Sequence, residues 1–183
     1  MLNFEVLDNI DPASPMCFFP EALEEFEARW HVTLTVHDLR GLLYWPDGQA
    51  LLRRRNHHGH MLCEFQRYSR KEWDRNCMRE CGFLTESMAL HRLRPFLQYC
   101  WKGIAELVVP VERNHQTVLL FYAGPFRGDP SLVVSLPEEF RSGWEQLTEL
   151  GQEQAGEMAR ELLLMGEGML SFLERSRRRA GNC

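Results

Sequence analysis

Two adjacent runs of β-branched and aromatic residues constrain the fold of this chain more than any other feature. They cover residues 107–111 and 117–123, and the polar residues 113–115 separate them. Such runs favour extended strands, and a short polar break between them favours a tight turn. The pattern therefore predicts a β-hairpin, ended by Gly124 and Pro125, in an antiparallel sheet.

A further strand is predicted nearer the N-terminus. Residues 31–37 alternate between apolar side chains and histidine or threonine, which is the period of a half-buried strand. Turn-like residues 38–41 then lead into the apolar residues 42–45, so a second hairpin is expected. The segment 49–60, dense in arginine and histidine, is expected to form an exposed loop.

Capping pairs mark the predicted starts of two helices. Ser69 with Glu72, and Ser135 with Glu138, have the capping-box spacing, in which each side chain binds a free backbone N–H at the start of the helix. The first pair predicts a long helix over about residues 70–91. Its predicted apolar stripe consists of Trp73, Cys77, Cys81, Leu84 and Met88.

The last predicted helix follows Gly151 and carries an apolar seam along its length. The seam residues alternate at spacings of four and three: Met158, Leu162, Met165, Met169 and Phe172. Such a seam either covers the sheet of its own chain or pairs with a second copy. We predict self-association as a homodimer through this helix, because the seam continues close to the chain end.

Composition argues against several classes of function. The net charge of −5 gives no attractive field for nucleic acid, so DNA contact is expected only through a domain outside these residues. The acidic N-terminus differs from a secretory signal, and no apolar run reaches the roughly 20 residues of a membrane span. We therefore expect a cytoplasmic protein without membrane contact. No phosphate loop, zinc-protease pair or nucleophile elbow is present, so no enzyme is expected.

Four of the six cysteines are candidates for a metal site. Cys77 and Cys81 are four residues apart on the predicted helix, so their sulfurs project from one face, and Cys63 and Cys100 precede and follow it. Four such thiolates can hold zinc or an iron–sulfur cluster, or cross-link when oxidised. The alternative is burial as small hydrophobic side chains, since Trp73 shares the same face.

Three histidines, His57, His58 and His60, lie close to Cys63 in the sequence. Imidazoles at this spacing can ligate zinc or copper. A histidine-rich surface loop without metal is the interpretation we favour.

The order of the cysteines also carries a resemblance. Cys63 precedes a helix, Cys77 and Cys81 form a pair within it, and Cys100 is followed by a glycine and a strand, while a second strand ends at Gly124. This arrangement resembles the PocR sensory domain, a ligand-binding module found ahead of AraC-type DNA-binding domains. The resemblance implies a PAS-like or GAF-like sheet, a small organic effector, and output through a C-terminal helix to a DNA-binding domain.

The fold predicted from these patterns is α+β, with antiparallel hairpins flanked by helices. Its expected parts are an irregular arm over residues 1–19, a PocR-like sensor domain over 20–150, and an output helix with a basic tail over 151–183. The expected function is small-ligand sensing in a bacterial transcription regulator of the AraC type. A metal- or redox-responsive cysteine-cluster protein is the alternative, and an enzyme using Cys100 is a third hypothesis.

A sensor needs a concave, mainly apolar pocket, which we expect between the sheet and its flanking helices. Aromatic residues on the predicted strands and beside them supply candidate walls: Trp45, Trp101 and Tyr122. The alternative for each is an ordinary place in the core.

Overall fold

The structure is a computed structural model that describes residues 18–44, 48–52, 55–67 and 69–180. The helices are α1 (Phe18–Trp30), α2 (Met61–Glu64), α3 (Lys71–Cys77), α4 (Thr85–Arg92), α5 (Pro130–Val133), α6 (Glu138–Glu145) and α7 (Gln152–Ala180), with a π-helical segment (Met78–Leu84) between α3 and α4. The strands are β1 (Thr33–Asp38), β2 (Phe96–Tyr99), β3 (Ile104–Arg113) and β4 (Gln116–Arg127). Most of the predicted N-terminal arm and the candidate residue Trp45 lie outside the described residues.

The strands form an antiparallel sheet in the order β1-β4-β3-β2. The predicted hairpin is β3–β4, and its turn residues Asn114 and His115 both have positive φ, 52° and 61°, as a two-residue hairpin turn requires. Gly124 and Pro125 do not end β4 as predicted, because the strand continues to Arg127. Both residues lie at a register shift against β3, where a proline without an N–H is tolerated.

The second predicted hairpin is wrong over the described residues, since β1 pairs with β4 instead of with residues 42–44. The Asp38 carboxylate accepts hydrogen bonds from the backbone N–H groups of Arg40, Leu42 and Leu43 at 2.7–3.2 Å. These bonds fold the chain into a tight turn and use N–H groups that a strand would offer to its neighbour.

One face of the sheet is covered by α1 and α7 and holds the largest part of the core. The seam predicted on the last helix is buried there, within its own chain: Met158, Leu162, Met165, Met169 and Phe172. This seam is therefore not a surface for pairing with a second copy, and the homodimer stays a prediction that needs another surface. Gly166 permits the close approach, because a Cβ there would lie 2.6 Å from Val111 Cγ2.

The opposite face of the sheet is covered by the helical run from α3 to α4, which confirms the long central helix. Its buried stripe nevertheless differs from the prediction: Thr85 and Ala89 are buried, whereas Leu84 and Met88 are 53% and 36% exposed. A π-helical turn contains additional residues compared with an α-helical turn. The π-helical segment therefore shifts the buried positions by one residue.

Neither predicted capping box forms. The N-caps of α3 and α6 are Arg70 and Pro137, and neither side chain makes a capping hydrogen bond. Ser69 instead donates its hydroxyl to a backbone carbonyl of the preceding turn. The indole N–H of Trp144 in α6 donates to the Gly103 carbonyl at 2.7 Å, so tertiary contacts hold this short helix.

The α+β class, with an antiparallel sheet and flanking helices, is confirmed. Across the ranges that the structure describes, no helix combines the length and apolar character needed to cross a membrane.

Candidate functional site

A cavity of about 290 Å³ lies between the sheet and the helical run that covers it. Its wall includes the four cysteines singled out in the sequence: Cys63, Cys77, Cys81 and Cys100. It also includes two pairs of histidine and glutamate: His37 with Glu86, and His58 with Glu106. The cavity has the position predicted for an effector pocket, and the four cysteines converge on it as predicted.

The π-helical segment positions Cys81 at this cavity. The Tyr122 hydroxyl donates to the Cys81 carbonyl at 2.9 Å, and the Thr85 hydroxyl donates to the Glu80 carbonyl at 2.7 Å. Such side-chain donors help to satisfy carbonyls in a segment that departs from α-helical pairing. The segment is thus fixed by contacts from the sheet and from α4, and π-helical turns are frequent at functional sites.

His58 is held by part of the loop that was expected to be exposed. The Arg55 carbonyl accepts a hydrogen bond from Val36 N at 2.6 Å, and the Arg55 guanidinium pairs with Glu27 at 2.8 Å. Because β1 is an edge strand, its free backbone groups are available to bind this loop. His58 is consequently only 8% exposed, and the exposed-loop prediction is wrong at this residue.

The two histidines of the cavity have different electrostatic environments. Burial lowers the pKa of His58, but the charge of Glu106 and its hydrogen bond to Nδ1 outweigh burial, so the pKa is raised. At His37 burial prevails over the hydrogen bond to Glu86, whose Oε1 lies 3.0 Å from Nδ1, and the pKa is lowered. Both rings pack against Tyr122, with centroids 4.7 and 5.1 Å from its ring.

Two of the four thiols are hydrogen-bonded to each other. The Cys81 thiol donates to Cys100, and this bond, with burial, raises the pKa of Cys81 while it lowers that of Cys100. Burial raises the pKa of Cys63 and of Cys77. Cys100 is therefore the most easily ionised of the four thiols, and a cross-link to Cys81 on oxidation stays a prediction.

The compact set of potential metal ligands differs from the four predicted thiolates. Among the described residues, one ligand atom from each of His58, Cys81 and Glu106 lies within 4.8 Å of the other two. The sequence pointed to Cys81 and named His58 only within a loop expected to be unligated, and it missed Glu106. One signal was present, because Glu106 is a charged residue within an apolar strand, and a buried carboxylate needs a partner.

Lys102 is buried beside the cavity, between β2 and β3. Its Nζ donates to the carbonyl oxygens of Leu62 and Cys63 at 3.2 and 2.7 Å. It also lies 5.1 and 5.6 Å from the ring centroids of Trp73 and Trp101. These contacts hold α2 and α3 against the turn that precedes β3.

Of the aromatic residues proposed as ligand contacts, Trp101 and Tyr122 are not in the wall of this cavity, and Trp45 lies outside the described residues. Trp101 packs edge-on against Trp73 at 4.9 Å, and Tyr122 is buried beneath His37 and His58. Tyr122 has the buried place of a core aromatic, which was the alternative interpretation, whereas Trp101 is only half-buried. Tyr122 still affects the site through its hydrogen bond to the π-helical segment.

Comparisons with known proteins give no identification. No protein-family model, no curated protein and no solved structure matches the chain. The resemblance to the PocR sensory domain therefore stays a prediction, and the function has to be argued from the site.

Proposed function

We propose that this chain is a small-ligand sensing domain whose effector binds in the cavity between the sheet and the run from α3 to α4. The observation that carries the proposal is the cavity itself, with about 290 Å³ of space and both polar and apolar groups in its wall. Small-molecule sites typically occupy roughly 300–1,000 Å³ and combine apolar walls with a few polar groups. The volume lies just below this range, which favours a small organic effector.

The π-helical segment is the wall best suited to pass on the binding event. Met78, Gly82 and Phe83 of this segment line the cavity. Its conformation is supported by tertiary hydrogen bonds such as that from Tyr122, and π-helical turns are rare outside functional sites. An effector that contacts this wall shifts the segment relative to the sheet, and α4 moves with it.

The wider proposal places the domain in a bacterial transcription regulator of the AraC type, where DNA is contacted only by a domain outside these residues. The resemblance to the PocR sensory domain and the net charge of −5 support it. The length of the natural gene product tests this part. A DNA-binding extension beyond residue 183 is expected, and a gene product that ends there without one contradicts it.

Effector binding is tested with two substitutions of one cavity residue. Cys77→Leu adds bulk to the cavity wall, whereas Cys77→Ser keeps the size of the side chain. In a thermal-shift assay with a panel of small organic molecules, the effector should stabilise the wild type and Cys77→Ser but not Cys77→Leu. A shift of undiminished size in Cys77→Leu contradicts binding in this cavity. Gly82→Leu provides a second blocking variant, because Gly82 lines the cavity. A Cβ at this position meets no atom within 4 Å, so there is room for the added side chain.

A metal- or redox-responsive function is the second candidate, favoured by the four cysteines around one cavity and by the bond from Cys81 to Cys100. In this function the thiols themselves receive the signal by binding metal or by oxidation. Cys81→Ser separates the two candidates. It should abolish a thiol-based response and should leave the binding of an organic effector that contacts no thiol or metal.

A further inference from the structure

We propose that His58, Cys81 and Glu106 together bind one divalent transition-metal ion of the zinc class in the wall of the cavity. One ligand atom of each residue lies within 4.8 Å of the other two. Small side-chain adjustments bring such atoms to zinc–ligand distances of about 2.0–2.3 Å. The residues come from a loop, the π-helical segment and β3, so the fold assembles the set and no local sequence motif reveals it.

The buried contact between His58 and Glu106 gives the position of the ion. His58 Nδ1 contacts a Glu106 oxygen, and the two residues are only 8% and 5% exposed. The two nitrogens of an imidazole ring point in nearly opposite directions, so a carboxylate bound at Nδ1 cannot also reach an ion bound at Nε2. The ion therefore takes the place of the proton between Nδ1 and Glu106, and Cys81 supplies the third ligand.

The charges of the three residues suit a divalent cation. A Cys81 thiolate and the Glu106 carboxylate balance the charge of the ion, so the loaded site is neutral and its burial is not opposed by an isolated charge. Zinc accepts nitrogen, sulfur and oxygen ligands, whereas calcium and magnesium prefer oxygen alone. The donor set therefore selects a zinc-class ion.

Lys102 lines the same cavity, and its charge opposes a second cation. Its ammonium donates to three backbone carbonyls between Leu62 and Phe65 at 2.7–3.4 Å and lies near aromatic rings. The carbonyl dipoles and ring faces offset part of this charge before an ion enters. The repulsion is thus smaller than that of an unsolvated ammonium.

The biological role of the ion rests on the proposed sensing function. Three protein ligands leave the fourth position of a tetrahedral zinc ion open for water or another donor. A donor atom of the effector that takes this position is held by the ion, which makes the ion an anchor for the effector. Metal binding itself needs no effector and is measured separately.

Metal binding by the full chain, stripped with chelator and then dialysed against Zn²⁺ or Co²⁺, tests the site. Elemental analysis should give one ion per chain, and Co²⁺ should give a thiolate-to-metal charge-transfer absorption. Each of the three ligand variants, His58→Gln, Cys81→Ser and Glu106→Gln, should weaken Zn²⁺ binding by at least about 10- to 100-fold. Loss of a residue that only hydrogen-bonds to a metal ligand already has an effect of this size. Cys81→Ser should also abolish the Co²⁺ absorption.

Cys63→Ser and Cys77→Ser are matched controls, because both cysteines line the cavity but lie outside the compact set. They should bind Zn²⁺ as the wild type does. Binding that is lost in these controls but kept in His58→Gln overturns the proposal in favour of a four-thiolate site. Melting curves in chelator identify any ligand variant that fails to fold, and the remaining ligand variants then decide. A folded wild type that takes up no Zn²⁺ also overturns it.

Failure of this site and failure of the sensing function give different results. A chain that binds Zn²⁺ but no effector contradicts sensing and leaves the metal site standing. A chain that binds an organic effector but no Zn²⁺ contradicts the metal site alone.

Discussion

Replacement of Gly166 by alanine perturbs the contact between α7 and the sheet in a way that the structure specifies. A Cβ at this position would lie 2.6 Å from Val111 Cγ2 and 3.0 Å from Phe121 Cε2. Both of these side chains are fully buried, so neither can turn toward solvent to make room. Gly156 lies on the same helix, but a Cβ there meets no atom within 4 Å.

The two sites share one favourable contribution and differ in one cost. Alanine stabilises a helix interior by about 1 kcal/mol relative to glycine. Overpacking a well-filled core costs about 1–3 kcal/mol. Gly156→Ala should therefore raise the free energy of unfolding by about 1 kcal/mol. Gly166→Ala should leave it unchanged or lower it by up to about 2 kcal/mol, the difference between the two effects.

Urea unfolding followed by circular dichroism measures both variants against the wild type. The midpoints should move in the stated directions with unchanged slopes, because the surface exposed on unfolding is nearly the same. The packing argument is refuted if Gly166→Ala is stabilised as much as Gly156→Ala.

Three further substitutions probe the site itself. Lys102→Met keeps most of the side-chain volume but leaves buried carbonyls without their donor. Urea unfolding should therefore show a free energy of unfolding that is lower by about 2 kcal/mol or more. A decrease near zero contradicts the role given to the Lys102 ammonium. Tyr122→Phe removes the donor to the Cys81 carbonyl and should cost about 1 kcal/mol in the same assay, and an unchanged stability contradicts that bond. The lowered pKa of His37 means that the folded chain takes up this proton at lower pH than the unfolded chain, so His37 contributes a loss of stability as the pH falls from 6.5 toward the folded value, whereas the raised pKa of His58 contributes an opposite change that the wild type and His37→Gln share. His37→Gln should lose less over that interval in unfolding curves measured above and below pH 6.5, and an identical loss excludes His37 as the cause.

The elements that the sequence predicted correctly are those whose own periodicity decides their structure. The β3–β4 hairpin and the seam of α7 are long, regular patterns, and both are present. The pattern of the seam does not predict which surface covers it, because an apolar stripe packs equally well on a sheet or on a second helix. Its burial against the sheet depends on Gly166, because a Cβ there would lie 2.6 Å from Val111 Cγ2.

The prediction failed where distant residues decide local structure. The π-helical segment displaced the buried stripe from Leu84 to Thr85, and it depends on hydrogen bonds that include the one from Tyr122 in β4. No sequence pattern within residues 78–84 predicts the hydrogen bond from Tyr122. In the same way, β1 pairs along its whole length with β4, a strand that is distant in the sequence. The residues adjacent to β1 form a turn instead of a strand, because their backbone N–H groups donate to the Asp38 carboxylate.

The candidate site was predicted in part for the same reason. The cysteines share one helix and its flanks, so spacing alone brought Cys77 and Cys81 together with Cys63 and Cys100. His58 reaches the cavity only because its loop binds the edge of β1. A loop fixed by tertiary contacts has no periodicity of its own, and such residues become visible only in the folded chain.

Native mass spectrometry of the chain, incubated with the small-molecule fraction of a bacterial extract, tests the proposed sensing function most directly. The wild type and Cys77→Ser should each carry the added mass of one small organic molecule per chain, and Cys77→Leu should not. A wild type that carries no added mass, or an added mass that persists in Cys77→Leu, would contradict ligand sensing in this cavity.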